Sequence, residues 1–184
     1  MAQDLPVLST TSLANPGDDL KIGDHGNYAV DVTNERDQYV GLWEYNQNGT
    51  IFQLKIEKKD KVINKYEFNG VVTKYSFCDE VILKYKLIKN NVVLYDNLSE
   101  STVDSETAWG NKRSSSIFLR GRLLDHTRNV RGSYTIEKIS LTPQKINFNL
   151  ILGNYTKVND SSFYQDGQPL FSIPTGGIEM VKVN

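Results

Sequence analysis

From Gln38 to the end of the chain, apolar residues recur every two positions rather than every 3.6, and turn residues interrupt the pattern at short intervals. A period of two sends alternate side chains to opposite faces of a pleated strand, so such a chain builds sheets. Phe52, Leu54 and Ile56 oppose Gln53, Lys55 and Glu57, while Val130, Gly132, Tyr134 and Ile136 oppose Arg131, Ser133, Thr135 and Glu137. Asn48-Gly49 is the dipeptide that two-residue hairpins favour, because their turn needs positive φ at both central residues. Asp60-Lys61, Asn69-Gly70, Asn90-Asn91, the 125–129 tip and Thr142-Pro143-Gln144 punctuate the rest. The expected strands are 39–45, 52–57, 62–68, 71–77, 81–87, 92–95, 117–124, 130–137, 146–152 and 178–183. About nine or ten strands without an ordinary helix predict an antiparallel barrel or sandwich. Closure removes the exposed edges, which favours the barrel.

Residues 1–27 are polar and lack sustained periodicity, with a turn at Asn15-Pro16-Gly17-Asp18-Asp19. The division is therefore an extended N-terminal arm over 1–37 and a barrel over 38–184. Within the arm, 28–32 suits a short strand, and Thr33 or Asn34 suits the cap of one helical turn. Two polar intervals remain. The one at 96–116 contains Ala108-Trp109-Gly110 and reads as a functional loop, a mobile one or a hidden irregular strand; the second spans 154–168.

Composition narrows the chemistry. With 21 basic against 22 acidic side chains, the chain lacks the strong positive charge of a dedicated nucleic-acid binder. One cysteine, Cys78, excludes an internal disulfide and a cysteine-rich zinc site. No run approaches the ~20 apolar residues of a spanning helix. Asp125-His126 reads as a solvated hairpin tip rather than a catalytic pair, since no Gly-x-Ser-x-Gly nucleophile motif accompanies it. His25 with Asp18 or Asp19 lacks the spacing of a calcium loop. Arg120 and Arg122 head a basic stripe that suits a solvated face paired with Asp96, Glu100, Asp104 and Glu106. No catalytic residue, metal ligand or cofactor is expected.

The entry Tyr39-Val40-Gly41-Leu42-Trp43 resembles the Gly-x-Trp opening of lipocalin-like barrels. Lipocalins also place an Arg late in the barrel across the Trp; this chain has none after Arg131, and Lys182 is the cation that could substitute. Together with Asn48-Gly49, Phe52-x-Leu54-x-Ile56, Gly132-Ser133, Leu141-x-Pro143 and Phe171-Ser172-Ile173-Pro174, the pattern over 38–184 resembles an uncharacterised family of Bacteroidota envelope proteins. The resemblance implies an all-β, antiparallel lipocalin-like barrel of about 8–10 strands. It also implies a cell-envelope or secreted location, although Met1-Ala2-Gln3 begins no signal peptide within this chain. The expected function is noncatalytic binding of a small apolar or amphipathic ligand in the barrel interior. Trp43, Phe52, Leu54, Tyr85, Tyr134 and Phe148 are the candidate ligand-binding residues. The alternative is a structural or protein-interaction module with a filled barrel.

Overall fold

The computed structural model describes residues 5–101, 108–112, 116, 118–152 and 167–183. It is all-β, with strands β1 (Ser9–Ser12), β2 (Asn27–Val30), β3 (Gly41–Gln47), β4 (Thr50–Phe68), β5 (Val71–Lys89), β6 (Val92–Asp96), β7 (Ala108–Lys112), β8 (Leu119–Asp125), β9 (Val130–Leu141), β10 (Gln144–Ile151) and β11 (Ile178–Val183). Eight of these close an antiparallel barrel in the order β5-β4-β3-β11-β10-β9-β8-β7, and the β5–β7 pairing completes the ring. Strands β1, β2 and β6 lie outside it. Strand β7 contains Ala108-Trp109-Gly110, so the first polar interval holds a strand after all. The acidic residues Asp104 and Glu106, and nearly all of 154–168, lie outside the described residues.

Inward positions are apolar, including Trp43, Phe52, Leu54, Ile56, Val81, Leu83, Leu87, Leu119, Ile136, Ile146 and Met180. Outward positions on the same strands carry Gln53, Lys55, Glu57, Arg120, Arg122 and Glu137. That polarity is the inverse of a bilayer-spanning barrel, whose apolar band faces out. No helix among the described residues is long and apolar enough to cross a membrane.

Two expectations about the long hairpin are corrected. Asp60-Lys61 is not a turn between strands. It is a bulge inside the single strand β4, where pairing to β5 shifts register between Lys59 and Val62 and Lys61 takes a φ of 52°. Likewise 71–77 and 81–87 form one continuous strand of 19 residues. Every residue from Tyr75 to Tyr85 is buried, so both faces of β5 are covered and the alternation that marks a half-exposed strand disappears there.

The second face is covered by the arm. Its β2 pairs in parallel with β5 through Tyr28–Phe77 and Ala29–Cys78, and β1 pairs in parallel with β2. Between them Asn15 caps a 3-10 turn over Pro16–Lys21, where its side chain accepts from the Gly17 amide. Leu13, Ile22, Ala29 and Cys78 make a small core of their own, separate from the barrel core.

Arg36 fastens the arm to the bulge. Buried to 3% exposure, it binds Asp31 at 2.8 Å, Asp60 at 2.8 Å and Asp79 at 3.4 Å, and donates to the Glu80 carbonyl at 2.9 Å. Asp79 also accepts from the Tyr28 hydroxyl, the Asp31 amide and the Lys61 amide, whose position the bulge sets. Burial alone would raise the Asp79 pKa, but those donors and the Arg36 guanidinium hold it below the ordinary 3.8. Arg36→Met should cost about 3–5 kcal/mol, because it leaves buried carboxylates without their cation. The deficit against the wild type should shrink as pH falls below 3.8, because protonation removes the unpaired charge in the variant while the wild type loses its Asp79 contribution. Urea denaturation at pH 7 and pH 3 checks both statements.

Candidate functional site

All six residues expected to line the interior meet inside the barrel, each at 0–1% exposure. Phe52 contacts Tyr85 and Phe148 at ring separations of 5.9 and 5.5 Å, and Phe148 contacts Tyr134 at 6.1 Å. These rings come from β4, β5, β9 and β10, so the aromatic chain ties together strands from opposite sides of the barrel.

Trp43 closes one end. Its indole Nε1 donates to the Tyr39 carbonyl at 2.7 Å, and the Lys182 ammonium lies 5.6 Å from the ring centre. Lys182 pairs directly opposite Trp43 in the β3–β11 ladder, so the cation expected near the ring is there. Gly41 makes this possible. With φ at 134°, a Cβ there would stand 2.5 Å from Lys182 Cε, so the Gly-x-Trp spacing opens the path the lysine crosses.

Tyr134 uses another glycine. A Cβ on Gly110 would stand 2.1 Å from the Tyr134 hydroxyl, which therefore occupies the space a side chain would fill on β7. That hydroxyl is buried without a hydrogen-bond partner among the described residues, a cost when a polar group leaves water. Tyr134→Phe should accordingly leave stability unchanged or raise it by up to about 1 kcal/mol, as read by the urea midpoint.

The 125–129 tip needs correction. Asp125 is fully buried rather than solvated, and its oxygens accept from the amides of Thr127, Arg128, Ser172 and Ile173. It pins the tip to the segment before β11, and its carboxylate is occupied by backbone amides. The His126 ring stacks on Tyr95 at 4.4 Å, and its amide donates to the Tyr85 hydroxyl. Burial holds the imidazole below its ordinary pKa against the pull of Asp125. In the basic stripe Arg120 lies over the Phe118 ring, whereas Asp96 pairs with Lys86 instead.

A second site lies outside the barrel, and the sequence reading missed it. Just beyond the β5–β7 contact, β7 leaves the edge of β5 and β2 takes its place. A groove of about 610 Å³ opens there, within the size range of small-ligand sites. Ser76, Cys78 and Glu80 from one face of β5 form its floor, with Asn64 and Tyr66 from the paired strand β4. Asn111 of β7 and the Ile22-Gly23 corner of the arm supply its walls.

Glu80 is the unusual member. It is 3% exposed, accepts a hydrogen bond from the Asn64 amide at 3.2 Å, and makes no ion pair among the described residues. Burial raises its pKa above the ordinary 4.5, opposed by the Asn64 hydrogen bond and the charge of Lys59. A carboxyl raised in the folded state supports the fold below its unfolded pKa and loses that contribution as pH climbs through the folded value. Glu80→Gln should therefore gain stability relative to wild type between pH 4 and pH 7, as measured by denaturation at both values. The sequence pattern singles out neither Glu80 nor Asn64; the arm and β7 make them a recess.

A family model described as a family of unknown function, DUF6705, matches residues 5–183 and so takes in the arm as well as the barrel. No curated protein matches, and no solved structure does.

Proposed function

Because the chain belongs to the DUF6705 family, a family of unknown function, its role must be argued from geometry, and we propose a noncatalytic binding module whose barrel is a self-packed support for recognition on its outer face. The observation that carries this reading is the unbroken run of ring contacts through Tyr85, Phe52, Phe148 and Tyr134. An eight-stranded barrel is only wide enough to be filled by its own side chains or to hold one small ligand, and here the candidate lining residues occupy one another. Asp125, the carboxylate next to His126, is engaged by four backbone amides, which supports a structural reading of that tip.

A second reading keeps a small apolar or amphipathic ligand inside the barrel. The unpartnered Tyr134 hydroxyl favours it, because an interior guest with an acceptor would satisfy that group. Kinship with lipocalins, a Bacteroidota source and a place in the cell envelope or outside the cell belong to the proposal too; the residue pattern from Gly41-x-Trp43 to Pro174 supports them.

Titration of a Trp109→Phe variant with N-phenyl-1-naphthylamine separates the two readings, since Trp43 is then the sole indole. The expected result is no saturable change in Trp43 fluorescence. A saturable change that Leu54→Phe weakens would overturn the filled barrel and establish an interior site.

A further inference from the structure

We propose that the outer groove between the arm, the β4–β5 hairpin and β7 binds a neutral polyhydroxylated ligand, a mono- or disaccharide. This rests on the reading that recognition occurs on the outer face, and it names the chemistry of that recognition. The described lining of the groove carries the groups a sugar requires. Asn64 and Asn111 present carboxamides, each a donor and an acceptor at once, and Ser76 adds a hydroxyl of the same dual character. Vicinal hydroxyls of a saccharide also donate and accept, so such a set satisfies them without requiring charge. Tyr66 stands at the rim, 67% exposed, and its ring is available to the C–H face of a sugar.

Other ligand classes fit less well. An apolar guest would strip water from the amides and the Glu80 carboxyl without replacing their hydrogen bonds. An anion would find Lys74 as the one cation among the described lining residues, exposed at the rim opposite Tyr66 rather than on the floor. A cation would have Glu80 to pair with, but Lys74 lines the same groove and Lys59 acts on the same carboxyl. Burial favours the neutral form of that carboxyl, which can both donate to and accept from a hydroxyl. The volume of about 610 Å³ admits one or two sugar rings.

Gly23 supplies a clean way to block the site. It lines the groove, and a Cβ built on it meets no atom within 4 Å, so a side chain there enters open space without disturbing the fold. The experiment is amide-detected NMR titration of the full chain. The probes are glucose, galactose, mannose, N-acetylglucosamine, maltose, cellobiose and lactose, with spermidine and inorganic phosphate as charged comparisons. The expected result is saturable shifts at Asn64, Ser76 and Asn111 with at least one saccharide. Asn64→Ala and Asn111→Ala should each weaken binding about 5- to 10-fold, in line with the loss of one or two hydrogen bonds. Gly23→Tyr should abolish it with an unchanged melting temperature, whereas Glu80→Gln should retain it, because a carboxamide keeps both hydrogen-bonding roles.

Three outcomes overturn the proposal: no saturable shifts with any saccharide, shifts that Gly23→Tyr leaves intact, or binding of spermidine alone that Glu80→Gln removes. The interior titration with N-phenyl-1-naphthylamine is read independently. A silent groove with a silent interior rejects the saccharide and leaves the self-packed barrel standing, while a probe bound inside the barrel rejects the self-packed support even if the groove binds sugar.

Discussion

Strand β5 must satisfy its backbone hydrogen bonds along both edges over 19 residues, and the rest of the structure is arranged around that requirement. One edge is paired throughout with β4, apart from its bulges. The other edge is shared in segments. Strand β2 takes Phe77 and Cys78, and β7 takes Val81 and Ile82. Asn97 accepts from the Tyr85 amide with its side chain and donates to the Tyr85 carbonyl with its own amide, and β6 pairs with Lys86 to Lys89. Barrel closure, the docking of the arm and the position of the groove all follow from this division of one edge. The groove exists because two strands that share an edge leave a gap where one replaces the other.

Neighbouring carboxyls at Asp79 and Glu80 show how position along that edge decides electrostatics. Adjacent strand residues point to opposite faces. Asp79 turns toward Arg36, Tyr28 and two amides, and its charge is favoured despite burial. Glu80 turns into the groove, where the Asn64 carboxamide is its one side-chain hydrogen-bond donor among the described residues and burial prevails. The barrel supports this arrangement from within: the Phe52–Tyr85 contact ties β4 to β5, and the Phe52–Phe148 contact ties β4 across the interior to β10.

Much of this was legible in the chain itself, and the exceptions have physical causes. Alternation selected Trp43, Phe52, Leu54, Tyr85, Tyr134 and Phe148 as inward residues, and all six are buried together. The lack of a late arginine pointed to Lys182, which lies over Trp43. Asp60-Lys61 resembles a turn in sequence because some turns and some bulges share the positive φ that Lys61 adopts; whether the strand resumes afterwards depends on the partner strand. From Tyr75 onward the period is hard to see because a strand buried on both faces has no polar face to mark it.

Local sequence therefore determined the strand class, the inward set and the positions of the tight turns, since pleat geometry and φ preferences act over two to four residues. Tertiary structure decided everything that depends on distant residues meeting. Asp31, Arg36, Asp60 and Asp79 form one network only because a parallel arm strand brings the first two beside the bulge. Asp125 looked like a solvated tip because nothing near it in sequence announces the amides of Ser172 and Ile173. The groove has the same origin. Asn64, Glu80, Asn111 and Gly23 come from three strands and a corner of the arm, and no spacing along the chain encodes a recess whose walls are brought together by the shared edge of β5.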